Sequence, residues 1–450
     1  MLYRKIAQKI EKYLSQQSDR IMIVSGARQI GKSFIIRHVG SKLFSNYIEL
    51  NLINDKSMRE AFSMVNNIED FHLTLSLYSG MKLGSYNDTL VFIDEIQECP
   101  NLLTLLKFLR AENKYHYIAS GSLLGVTLRQ THSIPVGSIE IINMFPLDFE
   151  EFLIANGIGK EIIEYLHNCF IQNETPKQDI HSRIIDIFRR YLLVGGLPAA
   201  VNEYLNSHNL VKVRAIQRDI HTLYAADAAK YDDQKRLKIT RLYNLIPSNM
   251  ENKKKRVVYK DIENKNWKKA NDYEEEIEYL ISSGISLEVK AISNPKFPLI
   301  ETESKNLLKL YLNDVGLLSY ILYNLNPMPI LKDEKSINLG SVYECVITTE
   351  LAAHGHKLFY YDNRNYGEVD YLIDDYQSLH VVPLEVKSGK DYRIHSALTR
   401  FVSTPDYHIE RGYVLSNSSE IKENNRIIYI PVYMVMFFNA AGPETEMIPI

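Results

Sequence analysis

The stretch GARQIGKS, residues 26–33, constrains this chain more than any other. An apolar run, Ile21 to Val24, precedes it and reads as a buried strand, and a helical pattern begins at Ser33. The spacing G-x-x-x-x-G-K-S between a strand and a helix is that of a phosphate-binding loop. Gly26 and Gly31 let the backbone amides of the loop, through Ala27, Arg28, Gln29 and Ile30, close around phosphates; Lys32 reaches the β and γ oxygens, and Ser33 ligates magnesium. The expected ligands are ATP and Mg2+.

Such a loop needs an acidic partner for the metal, and TLVFIDEIQ, residues 89–97, offers one: an apolar strand ending in Asp94 and Glu95. Ligands of parallel α/β sheets bind at strand ends of this kind. Asp94 is expected to hold magnesium through water, and Glu95 to polarise the attacking water as general base. The plainer alternative is a strand capped by two solvated carboxylates. A further strand-like run around YIELNL lies between the two motifs in sequence, so the two motif strands are expected not to be neighbours in the sheet. The run YHYIAS leads into GSLLG, where Ser120 and Ser122 are candidates to sense the γ-phosphate, or else turn residues. In PLDFEEFL a proline followed by an acidic first turn marks a helix start.

A chain of 450 residues with 45% apolar content is long enough for two to four domains. Its net charge of −3 gives no global attraction to nucleic acid or an anionic membrane, so such contacts need a local patch. Cys99, Cys169 and Cys345 are far apart and odd in number, which suits a reducing, cytoplasmic interior and neither a disulfide framework nor a metal cage. The longest apolar stretch, IIYIPVYMVMFF, contains a proline and is too short to span a bilayer, so no membrane partner is expected.

In order along the chain, GARQIGKS, LVFIDEIQ, ASGS, PLDFEEFL, YLLVGGLPAAV, YLNDVGLLSYIL and EVD…EVKSG resemble the prokaryotic predicted AAA+ ATPases that carry a C-terminal domain of unknown function, itself similar to PD-(D/E)xK restriction-endonuclease-like nucleases. The resemblance covers nearly all of the chain. The fold expected is α/β and multidomain: an AAA+ P-loop core over residues 1–155, a helical lid over 156–235, a winged helix over 236–325 and a restriction-endonuclease-like domain over 326–450. Relatives place a basic residue where this chain has Ser138; Arg129 is a candidate substitute for an arginine finger, and Arg189 and Arg190 are candidate sensors or ordinary helix-end cations.

In the expected winged helix, Tyr273, Ile277, Leu280 and Ile281 form a buried stripe, and Glu274, Glu275, Glu276 and Glu278 fall on the exposed face. Four glutamates oppose entry into a major groove. The basic run Lys253, Lys254, Lys255, Arg256, Lys260, Lys265, Lys268 and Lys269 around Trp267 is a candidate backbone-binding patch, or a solvated face paired with the acidic helix.

The resemblance implies a second metal site. A nuclease of that type holds magnesium with acids on two antiparallel strands, while a lysine orients water. If GEVDYLI and HVVPLEVKSG pair around a turn at Gln377 and Ser378, Asp370 lies opposite Glu385, and Glu385 and Lys387 share a face away from Val382, Leu384 and Val386. Glu344 matches a helix glutamate of relatives, with Glu350 its local competitor. The same pattern also describes a half-exposed hairpin with a cross-strand salt bridge. Two functions therefore stand open: an ATPase coupled to cleavage or binding of DNA or RNA, and an ATP-dependent switch acting on a protein partner, or as a homo-oligomer, through an inactive nuclease-like fold.

Overall fold

The computed structural model describes the chain except residues 17, 80–82, 123–136, 228–235, 253, 264–267, 335–336, 364–366, 389–395 and 441–450, and the side chains of residues 305 and 306. It divides into two compact units: Tyr3–Phe145 with Ser282–Ile285, and Met1–Leu2, Pro146–Ile281 and Ser286–Ile450.

The first unit is built on a parallel sheet of β1 (Ile21–Ser25), β2 (Asn46–Asn51), β3 (Thr89–Asp94), β4 (His116–Gly121) and β5 (Ile139–Asn143). The strand order is β2-β3-β4-β1-β5. Every residue of β1 and β3 is buried, which is why both read as unbroken apolar runs rather than as alternating ones. The two motif strands are indeed not neighbours: β4 separates them, and β2 forms the edge. Helices cover the sheet, and Phe62, Phe71, Leu102 and Leu106 pack with Leu50, Val91 and Ile93 in one cluster. Helix Pro100–Glu112 opens on its proline, whose missing N–H costs nothing there, and ends at Asn113 in the left-handed region. Helix Lys5–Ser15 buries Ile6, Ile10 and Leu14, one stripe at four-residue spacing.

The second unit begins with five helices: Phe149–Ala155, Lys160–Gln172, Gln178–Val194, Pro198–Ser207 and Leu210–Asp227. The helix start read from PLDFEEFL is a full capping box, in which Asp148 accepts from the Glu151 amide at 2.8 Å and Glu151 accepts from the Asp148 amide at 3.3 Å. At the break in VGGLP, Asp314 accepts from the Gly196 amide at 2.6 Å and from the Leu317 amide at 3.0 Å, capping helix Val315–Tyr323. Gly196 admits no side chain, because a Cβ would stand 2.0 Å from the Leu147 carbonyl oxygen. Burial raises the Asp314 carboxyl to about 6, opposed by these amides. Asp314→Ala leaves several enclosed amides without acceptors, and we expect it to cost about 2–4 kcal/mol, read as an earlier midpoint in chemical denaturation; an unchanged midpoint would refute this role.

The unit's sheet has eight strands in the order β12-β13-β11-β10-β9-β8-β6-β7. These are β6 (Ser286–Ile292), β7 (Glu303–Leu312), β8 (Phe359–Asn363), β9 (Gly367–Asp375), β10 (His380–Lys387), β11 (Gly412–Ser416), β12 (Lys422–Asn424) and β13 (Ile427–Pro431). The runs ISLEVKAIS and LLKLYLND, the strand-like part of the expected winged helix, form β6 and β7 and pair with each other, but β6 also pairs with β8 in parallel, so both belong to the same sheet as the C-terminal strands. The apolar run IIYIPVYMVMFF supplies β13 and a buried 3-10 turn, Val432–Phe437.

Tyr273, in the 3-10 turn before the acidic helix Glu274–Ser282, and Ile277 and Leu280 within it are buried as expected, whereas Ile281 is only half-buried. The helix's exposed face is narrower than the pattern indicated. Glu276 is buried, with Lys238 at 3.7 Å, because the helix packs on two sides rather than one. Three of the six described residues of the basic run turn inward, Lys255 pairing with Glu344, Arg256 with Asp362, and Lys268 standing 3.6 Å from Glu263, while Lys254, Lys260 and Lys269 are exposed. Lys253, Lys265 and Trp267 lie outside the described residues. Among the described residues no helix is long and apolar enough to cross a membrane.

Candidate functional site

In the first unit, β1 delivers the phosphate loop and β3 delivers Asp94 and Glu95 to the same sheet edge. Gly26 has φ +149°, and a Cβ there would sit 2.3 Å from the Met144 carbonyl oxygen. Gly31 has φ +94° and opens the helix Lys32–Leu43. Glycine is needed at both for different reasons, close approach at the first and a left-handed turn at the second. Lys32 Nζ lies beneath the loop, donating to the carbonyls of Gly26 at 3.0 Å and Ala27 at 2.9 Å. Burial lowers its pKa, opposed by Glu95 and Asp94.

Asp94 is the hub. Its Oδ1 accepts from Ser33 Oγ at 2.8 Å and from Ser120 Oγ, and its Oδ2 accepts from Asn51 Nδ2 at 3.0 Å. Burial raises its carboxyl, against the pull of the two serine hydroxyls. A serine hydroxyl beside a carboxylate, with phosphate oxygens to complete the set, is the hard-oxygen environment that Mg2+ takes. The residues present fit that ion.

Glu95 follows at φ 57°, a left-handed conformation uncommon for a side chain of this size. Its amide donates to Ser120 Oγ at 3.3 Å, and its Oε2 accepts from Ser122 Oγ at 2.8 Å and from Gln97 Nε2. Burial pushes the Glu95 carboxyl up, but Lys32, Gln97 and Ser122 outweigh it and hold the group below its ordinary value. It is therefore an oriented, ionised carboxylate beside the loop. The reading of Asp94 and Glu95 as solvated caps does not describe this arrangement, since Asp94 is 3% exposed and both are bound by several donors.

Ser120 and Ser122 both reach the acidic pair, one on each carboxylate. Three contributors were not read from the sequence. Asn51 ends β2 and lies directly across from Asp94 in the ladder, a signal that appears only once the two strands are paired. Gln97, two residues beyond Glu95, was available as a short polar neighbour in the motif itself. Arg4 donates to the carbonyls of Ile30 at 3.1 Å and Phe145 at 2.6 Å, bracing the loop from below, and nothing in MLYRKI separates it from the basic residues around it. Ser138 lies just before β5, its carbonyl accepting from the Ile21 amide at 2.8 Å; Arg129 lies outside the described residues. Arg190 is held by Asp186 at 2.6 Å, one helical turn away, as an ordinary helix cation would be.

The second unit holds the other predicted cluster. The hairpin register runs from His380↔Asp375 to Leu384↔Tyr371, and one further step sets Glu385 across from Asp370, as the turn at Gln377 and Ser378 required. Helix Gly340–Ala353, buried over most of its length, lies against β10, while Asp370 and Lys387 stay half-buried as the half-exposed alternative has them. Glu385 is 5% exposed, whereas Val382 and Val386, expected in the core, are only half-buried. Glu344 comes to this cluster from that helix. Its competitor Glu350 is engaged elsewhere, accepting from the Phe149 amide at 2.8 Å and the Tyr191 hydroxyl at 3.2 Å.

Each acid of the hairpin cluster already has a donor. Glu344 is bound by Lys255 Nζ and, at 2.8 Å, by the Tyr311 hydroxyl. Asp370 Oδ2 accepts from the Val386 amide at 2.9 Å, and Glu385 Oε1 from Lys387 Nζ at 2.7 Å. Burial and the like charges of Glu385 and Glu344 push Asp370 well above the usual carboxylate range, and burial raises Glu385. Lys309, 1% exposed, pairs with Glu368 and lies 4.7 Å from the centre of the Tyr360 ring. Burial would lower it, but Glu344, Glu368 and Asp370 hold it up at about 12. Among the described residues no three His, Cys, Asp or Glu side chains are gathered closely enough to hold a metal ion. As arranged, the residues do not fit one.

A sequence profile of the AAA domain matches residues 18–153. Residues 18–153 form an AAA-like P-loop ATPase domain. Two domains of unknown function match further along the chain, DUF8612 over residues 185–327 and DUF4143 over residues 339–435. No curated protein matches the chain. Among solved structures, the chain is similar to the Walker-type ATPase PABY2304 of Pyrococcus abyssi, at 13% identity and a TM-score of 0.41, covering 74% of this chain and 96% of that one. It is also similar to C. elegans PCH-2, at 14% identity and a TM-score of 0.29, covering 46% and 65%. The Thermotoga maritima RuvB Holliday junction branch migration motor gives 12% identity and a TM-score of 0.27, covering 64% and 89%. These low scores add nothing to the assignment, which rests on the AAA-domain match and the geometry of the loop.

Proposed function

We propose that the protein binds ATP with Mg2+ at residues 26–33 and hydrolyses it, and that nucleotide state governs what its second unit binds. The observation that carries this is the joined set of Ser33, Asp94, Ser120 and Glu95 at the strand ends beside the loop. In this reading the loop amides and Lys32 hold the β and γ phosphates, and Ser33 and Asp94 hold the metal. Magnesium supplies charge neutralisation on the phosphate oxygens. Glu95, kept ionised and aimed by Gln97 and Ser122, accepts the proton of the attacking water. Ser120 links the Asp94 carboxylate to the backbone amide of Glu95 through its hydroxyl, so that a change at the metal ligand is felt in the turn that aims the base.

For the second unit two outputs are open, metal-dependent cleavage of DNA or RNA by Asp370, Glu385 and Lys387, and a nuclease-like fold that binds a partner without cutting. Lys255, which comes from outside the two strands to pair with Glu344, favours the second. The test is phosphate release by purified protein with and without Mg2+, for wild type and Lys387→Ala. Release that needs Mg2+ and survives Lys387→Ala is expected; no release under any condition, with DNA or RNA present, would remove the reading.

A further inference from the structure

We propose that Lys255 stands in for a divalent cation at the β9–β10 carboxylates and closes that site to metal. The inference rests on the nuclease-like reading of those strands, since only then is a cation expected there.

The geometry has four parts. First, Glu344, the helix acid of the cluster, is bound on one oxygen by Lys255 Nζ and on the other by the Tyr311 hydroxyl, so neither oxygen is open. Second, Glu385 Oε2 is buried and has no hydrogen-bond partner among the described residues, although the other oxygen is held by Lys387. A buried carboxylate oxygen left in that state is costly, and it points to a position built for a ligand. Third, Lys255 reaches the cluster from a turn rather than from a strand. It follows helix Arg236–Glu251, has φ 49°, and its amide closes the turn on the Asn252 carbonyl at 3.1 Å. A left-handed lysine is held there by its surroundings rather than by its own preference. Fourth, Lys255 keeps 18% of its side chain exposed, whereas Lys309 is enclosed between Glu368 and the Tyr360 ring.

Lys309 is therefore part of the framework and Lys387 belongs to β10 itself, paired with Glu385 two residues away, whereas Lys255 comes from a turn outside the strands and is the cation that can leave. A divalent ion bound to Glu344 would meet the Lys255 ammonium at the same carboxylate, and like charges on one ligand repel strongly in a partly buried place. Lys255 and metal exclude each other.

The test is Mn2+ titration by calorimetry on nucleotide-free protein carrying Asp94→Asn throughout, so that the first unit contributes no metal binding. Four proteins are compared: this background alone, and the background with Lys255→Ala, Lys255→Met, or Lys255→Ala plus Asp370→Asn. Thermal melts accompany each, and Lys255→Met keeps the packing of the side chain if Lys255→Ala fails to fold. The expected result is no Mn2+ binding by the background in the millimolar range, and one Mn2+ per chain, at least about tenfold tighter, once the ammonium is removed. That binding is lost again with Asp370→Asn. Mn2+ bound already by the background, and unchanged by removing Lys255, would overturn the inference while leaving a nuclease-like site. Binding by none of the four would overturn the inference together with the nuclease-like reading.

Discussion

Glu95→Gln lowers ATP turnover per subunit by about a hundredfold to ten-thousandfold and leaves ATP affinity within a few-fold of wild type. The amide keeps the size of the side chain and can still meet Ser122 and Gln97, so the left-handed turn at residue 95 keeps its shape. What is lost is the proton acceptor. Phosphate release under saturating ATP and ATP binding by fluorescence titration check the two halves separately. Equal losses in both would mean that Glu95 holds the loop together instead of acting on water. The pH dependence follows from the same group. Its folded pKa lies below the ordinary carboxylate value, so its ionised form stabilises the fold above that value, and the contribution is lost only as pH falls through the lowered pKa. Turnover controlled by Glu95 is accordingly flat between pH 6 and 8, and an acid limb in that window that vanishes in Glu95→Gln would contradict the assignment.

Lys32→Ala acts one step earlier, on binding. The ammonium is buried beneath the loop and touches two loop carbonyls, so removing it takes away both a phosphate contact and a brace on the empty loop. Wild-type protein with ATP at about a hundred times its dissociation constant gains about 2.7 kcal/mol of stability by mass action. We expect Lys32→Ala to lose nearly all of that gain in a thermal melt with Mg-ATP, while its melt without nucleotide shifts little by comparison. Retention of the full nucleotide-induced shift would show that ATP does not bind at this loop.

The sequence reveals the first site almost entirely because its parts lie in short motifs at fixed spacing. A loop between a strand and a helix, and an acidic pair at a strand end, define their own local geometry before any packing is known. Asn51 and Arg4 escape notice for the opposite reason: each reaches the site through a pairing or packing partner distant in sequence. The hairpin register was legible because one turn fixes every pair along two strands. Its burial was not, since periodicity shows that Glu385 and Lys387 share a face but not that helix Gly340–Ala353 covers the strand. Glu276 reverses in the same way: one helix face looked free until a second neighbour packed against it. The inward turn of Lys255 and Arg256 was hidden too, because a basic run reads as a surface until its acids, Glu344 and Asp362, are found about a hundred residues away. Strands β6 and β7 carry the pattern of a wing, and pattern alone does not say which sheet they join.

We propose that this chain hydrolyses ATP at residues 26–33 and that its second unit binds without cutting nucleic acid. The most direct measurement is a single reaction of wild-type protein with Mg-ATP and radiolabelled DNA or RNA, in which released phosphate and strand scission are followed together. Phosphate release with the nucleic acid intact is the predicted result. Scission that proceeds in Lys32→Ala but not in Lys387→Ala would contradict it.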